Sequence, residues 1–139
     1  MLAPERLRGL RVVADAAAID GARWSGDRNE LGRDQGGVEV LRFAPDEAFA
    51  IGARHVELDD EHALVSDERG FVAWRVPMGE GDEIERHLEW RLPEPNRLAQ
   101  GALAGVPVKL LWSVDTASIL VVANAAYARD LAERLGWDR

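Results

Sequence analysis

Three histidines and twenty-five carboxylates are the groups in this chain able to carry proton or metal chemistry, and one stretch gathers several of them. His55-Val-Glu57-Leu-Asp59-Asp60-Glu61-His62 combines imidazoles and carboxylates, the ligand types that bind zinc or manganese. In an extended segment His55, Glu57 and Asp59 share a face. The spacing matches no established metal motif, so the stretch reads first as an exposed acidic turn. A small metal-dependent enzyme using this cluster is an alternative. His87 falls on an apolar stripe with Ile84 and Leu88, and Glu83 one turn earlier supplies a simple helix-surface partner. It acts as a general base only if a cleft and a second group are brought to it. Ser25, Ser66, Ser113 and Ser118 stand in no GxSxG elbow. The chain has no cysteine, which excludes thiolate nucleophiles, disulfides and Cys-ligated metal. Residue chemistry therefore assembles no complete catalytic set, names no metal site and identifies no cofactor-binding residue.

Recognition chemistry is better represented. The chain has five tryptophans. Trp74 and Trp112 fall on strands and are expected in the core. Trp24, Trp90 and Trp137 fall near element ends, where a large ring with a polar handle suits a protein interface. Asn96 and Arg97, in the linker after Pro93, form a polar pair able to orient a carboxylate or a partner's backbone. These five residues are the candidate interface.

The elements that must hold them read as follows. Leu10–Val13 suggests a strand followed by a short helix in the Ala-rich run, although 1–37 is otherwise poorly assigned. Residues 25–37 are polar and glycine-rich and read as a loop. Strands are expected at 38–43 and 48–52, broken by Pro45–Asp46. A hairpin is expected from 63–66 and 71–76, turning at Gly70. Asp82 is the expected N-cap of a helix reaching Leu88 or Trp90, stopped by Pro93. The clearest pattern is C-terminal. Residues 99–104 and 106–113 flank Gly105, and Pro107 belongs at a strand start or edge. The apolar run 118–123 reads as a strand covered on both faces. Asn124 then caps a helix with Tyr127, Leu131 and Leu135 on one stripe and Gly136 as its stop.

With 139 residues, 47% hydrophobic and 30% charged, the chain fits one globular domain. The net charge of −8, with Lys109 the only lysine, argues against nucleic acid. No stretch approaches the roughly 18 apolar residues of a membrane span. The N-terminus lacks the apolar core of a signal peptide, so a cytoplasmic location is expected.

The stretch QGALAGVPVKLLWSVDTASILVVANAAYARDLAERL, residues 100–135, resembles the C-terminal part of the gamma subunit of heterotetrameric sarcosine oxidase. The shared pattern is a small-residue strand, V-P-V-x-L-x-W, a turn, an apolar strand and a helix with an aromatic residue in its first turn. Ala123–Asn124 stand where the family has Arg-Ser, so the family's arginine is missing. Upstream, Phe43–Gly52 resembles the family's G-P-D-E-W-L-L segment with Ala48 in place of Trp. The resemblance implies an α+β fold of the folate-binding aminomethyltransferase-like group, a mainly antiparallel mixed sheet with two or three helices packed on it. It implies an accessory chain, non-catalytic alone, docking on larger oxidase subunits that hold FAD, FMN, NAD and folate. A stand-alone module binding a folate-like or other small molecule is the alternative, with homo-oligomerisation if the chain is isolated.

Overall fold

A computed structural model describes residues 2–26, 37–88, 90–92, 94–95, 97–113 and 117–139. In chain order the elements are β1 (Glu5–Arg6), β2 (Gly9–Val13), α1 (Ala16–Asp20), β3 (Arg23–Ser25), β4 (Glu39–Ala44), β5 (Glu47–Ile51), β6 (His55–Glu57) and β7 (Leu64–Glu68). There follow β8 (Phe71–Pro77), α2 (Gly81–Glu85), β9 (Leu98–Leu103), β10 (Val106–Ser113), β11 (Ser118–Asn124) and α3 (Ala128–Leu135). The class is α+β. The one mixed sheet expected from sequence is instead three sheets, and every pairing among the described residues is antiparallel. Backbone contacts group the chain into two compact units. One runs from Leu7 to Arg69; the other joins the segment up to Arg6 with Gly70–Arg139.

The 7–69 unit holds a sheet of order β4-β5-β2-β7 and the pair β3-β6. The tight turn at Pro45–Asp46 closes β4 onto β5, as the interrupted apolar runs predicted. Val12 and Ala48 are fully buried against Ala18 and Ile19 of α1. Arg11, in the middle of β2, reaches sideways to both neighbours. Its guanidinium lies 2.8 Å from Glu47 on β5 and 3.3 Å from Glu68 on β7. The segment left poorly assigned from sequence thus supplies β1, β2, α1 and β3. Ser25 closes β3, and most of the loop read at 25–37 lies outside the described residues.

The other unit is a sheet of order β1-β8-β11-β10-β9. β11 is buried on both faces, Ile119 through Ala123 being at most 2% exposed, which matches its unbroken apolar sequence. Val72, Trp74 and Val76 on β8 pack with Ile119 and Val121 on β11 and with Leu131 and Leu135 on α3. Pro107 pairs with Ala102 on β9, while β10 meets β11 only from Val108, so its missing N–H falls at the strand start. Ala104 (φ 49°) and Gly105 (φ 80°) make the two-residue turn between β9 and β10. The Oδ1 of Asn124 accepts a 2.9 Å bond from the N–H of Ala126, and Gly136 ends α3 at φ 72°.

Four local expectations are corrected. Residues 63–66 and 71–76 do not pair with each other: β7 joins β2 and β8 joins β11. Gly70 therefore serves a crossing between sheets and not a hairpin. The helix expected to start after Asp82 begins as a 3-10 turn at Met78 and ends at Glu85, with Asp82 inside it. His87 falls beyond that helix and is exposed, while Ile84 is buried. Tyr127 is 44% exposed, because a 3-10 turn over Ala125–Tyr127 rotates it off the stripe of Leu131 and Leu135.

Candidate functional site

The chain leaving α2 follows the outer edge of β9. That edge strand would otherwise present unpaired backbone groups. Leu88 bridges to Leu103, the N–H of Ala104 donates to the carbonyl of His87 at 2.9 Å, and the indole Nε1 of Trp90 donates to the carbonyl of Ala102 at 3.0 Å. Trp90 lies over Gly101, where a Cβ would stand 2.6 Å from its ring. The missing side chain at Gly101 is what leaves room for the indole against the strand.

This arrangement opens a cleft of about 690 Å³ lined by Met78, Gly81, Glu85, Trp90, Arg91, Leu92, Trp112 and Ile119. Its volume falls in the range of about 300–1,000 Å³ typical of ligand sites. The indole N–H of Trp112 donates to the thioether of Met78. Both indole donors in the cleft are thus engaged by the protein itself, and the rings offer apolar surface. Arg91 and Glu85 are exposed, and neither side chain has an ion-pair or hydrogen-bond partner among the described residues.

Of the five candidate interface residues, only Trp90 enters this cleft. Trp24 is half-buried on β3, packed with Val56. Trp137 follows α3 and stacks obliquely on the fully buried Trp74, ring centroids 5.3 Å apart. Arg97 is exposed beside Glu94, 3.7 Å away, and Asn96 lies outside the described residues. Trp74 is a core residue as expected, and its indole N–H has no partner among the described residues. Trp112, also expected in the core, is half-buried and forms a wall of the cleft. Met78, Glu85, Arg91, Leu92 and Ile119 were missed as a group, since only the long-range pairing of β8, β11 and β10 brings them together.

Within the 55–62 stretch His55–Glu57 form β6, and the residues after it turn toward β7. Among the described residues no group of three or more His, Asp or Glu side chains is placed to hold a metal ion. Asp60 instead accepts 2.9 Å bonds from the N–H of Asp15 and of His62. Those two backbone donors, that of Asp15 first, hold its carboxyl below the ordinary carboxylate range. His55 lines a second, open hollow on β3 and β6 with Arg23, Trp24, Ser25 and Glu57.

No protein-family model and no curated protein matches the sequence. Comparison with solved structures is decisive for the fold. A chain of "Heterotetrameric Sarcosine Oxidase from Corynebacterium sp. U-96 in complex with pyrrole 2-carboxylate" superposes with a TM-score of 0.69 over 97% of this chain. The fold is that of a sarcosine oxidase chain. Identity is 18%, and the match covers 80% of the sarcosine oxidase chain, so the two are similar in length. The resemblance read in residues 100–135 therefore holds at the level of fold, and it extends through the N-terminal segment that sequence left unassigned. The identity is too low for the likeness to carry residue roles. No helix among the described residues is long and apolar enough to cross a membrane.

Proposed function

We propose that this chain is a small accessory subunit of the sarcosine oxidase gamma type. It docks on larger oxidase subunits, which hold FAD, FMN, NAD and folate and perform the chemistry. The observation that carries this reading is the fold match over 97% of the chain to a chain of similar length within a heterotetrameric oxidase. On this reading the fold belongs to the aminomethyltransferase-like group, the complex is cytoplasmic, and the chain alone does not oxidise substrate. Trp24, Arg97 and Trp137 are the side chains offered to the partner, and Asn96, which lies outside the described residues, belongs to the same proposal; Trp90 lines the cleft instead. Large rings and guanidinium groups are the residue types enriched where binding energy concentrates.

The test is co-expression with the flavin-dependent oxidase subunits encoded nearest to this chain in its genome. Size-exclusion chromatography should show all chains in one peak, with sarcosine-dependent reduction of oxygen in that peak and none in the isolated chain. Elution of this chain apart from those subunits, or oxidase activity in the chain alone, removes the reading.

A further inference from the structure

We propose that the Trp90–Trp112 cleft binds a small zwitterion, an α-amino acid with an aromatic side chain. The inference stands on the cleft itself and does not rest on the accessory-subunit reading. Three features of the lining select this class. The walls are two indoles, a thioether and the side chains of Leu92 and Ile119. Aromatic rings pack favourably against both indole faces and methionine sulfur.

The second feature is that the polar handles of the walls are already occupied. Trp90 Nε1 is bound to the carbonyl of Ala102 and Trp112 Nε1 to the sulfur of Met78. A ligand therefore finds rings there and no free indole donor, so the walls reward a planar apolar group. The third is that, among the described residues of the lining, the two charged side chains, Arg91 and Glu85, have opposite sign. Neither is neutralised by a described residue. A carboxylate satisfies the guanidinium and an ammonium satisfies the carboxylate, each by a charge-assisted bond. An anion alone would leave Glu85 unmatched, and a cation alone would leave Arg91 unmatched.

The site is held open by the attachment of the Trp90 segment to β9 and by the packing of Ile119 in the sheet core.

The experiment titrates the full chain with L-phenylalanine, 3-phenylpropionate and phenethylamine, following the five indole N–H resonances by two-dimensional NMR. Trp90→Phe and Trp112→Phe variants assign the two cleft signals. L-phenylalanine should move the Trp90 and Trp112 signals and leave those of Trp24, Trp74 and Trp137 in place. Each analogue lacking one charge should bind about tenfold more weakly or worse, the size of one charge-assisted bond. Arg91→Gln should weaken phenylalanine binding by a similar factor while leaving phenethylamine unchanged, and Glu85→Gln should do the converse with phenylpropionate. Both substitutions are at exposed positions and preserve the fold, which the unperturbed Trp74 signal reports. Equal binding of all three compounds would mean a general apolar surface and overturn the proposal. So would the absence of any shift at millimolar phenylalanine, the result expected if the cleft serves a partner's side chain.

Discussion

Trp90 and Gly101 are in close contact: a Cβ on Gly101 would stand 2.6 Å from Cε2 and Nε1 of the Trp90 ring. The indole gives its N–H to β9 and also lines the cleft. A glycine in the middle of an edge strand weakens the strand by itself, and it marks a close approach. Here the approaching group is a side chain that covers the strand's outer edge.

Gly101→Ala should therefore push the indole off its seat. The ring can tilt, because the obstacle is a side chain, but tilting gives up the bond to Ala102. A loss of about 1–3 kcal/mol is expected, the usual cost of overpacking. Urea denaturation measures it. In a Trp90→Ala background the same substitution should cost much less, since its obstacle is gone. An equal cost in both backgrounds would contradict the contact.

Gly9 makes the opposite case. A Cβ there would stand 2.8 Å from the carbonyl carbon of Ala50 and closer still to its oxygen. Backbone cannot rotate out of the way as a side chain can. Gly9→Ala should break the pairing of β2 with β5 and cost about 3 kcal/mol or more. The readout is soluble yield together with the thermal midpoint; a variant as stable as the parent would rule out so close an approach.

These glycines also mark what the sequence could and could not convey. The unit from β9 to α3 was legible because its cues are local. Pro107, the turn at Gly105, the Asn124 cap and the Gly136 stop each act within a few residues of themselves. The pairing of β7 with β2 was not legible. Leu64–Glu68 and Phe71–Pro77 alternate like a hairpin, and nothing within them reveals that distant strands compete for both. Trp112 misled for a related reason. Its strand position is apolar, but Trp112 packs against the core from outside it and, like Ser113, is only half-buried. The cleft was illegible because its residues lie on β8's exit, α2, β10, β11 and the segment after α2, and only the folded sheet gathers them.

Asp60 should confer acid sensitivity on the turn before β7. Its folded pKa is lowered by the N–H groups of Asp15 and His62, so the folded chain favours the ionised form. The stabilisation is present above the ordinary carboxylate value and is lost as pH falls through the lowered one. Asp60→Asn should lower the thermal midpoint near pH 7 and flatten its fall below about pH 4, where parent and variant converge. Superimposable acid limbs for parent and variant would show that the two bonds do not persist in solution.

Burial predicts a sharp contrast between two leucines. Leu131 on α3 is fully buried in the core that holds Trp74, whereas Leu64 at the start of β7 is 70% exposed. Leu131→Ala should cost about 2–5 kcal/mol through the cavity it leaves. Leu64→Ala should stay within about 0.5 kcal/mol of the parent. Matched chemical denaturation of the two variants checks the ordering, and a costly Leu64→Ala would imply that something covers β7 in solution.

The central claim is that this chain works as one small subunit of a larger oxidase. Native mass spectrometry of the co-expressed subunits tests it most directly. The account predicts one species containing a single copy of this chain with the large subunits, and dissociation of this chain as an intact unit under mild activation. A spectrum with the large subunits assembled and this chain free, or assembled only with itself, would contradict it.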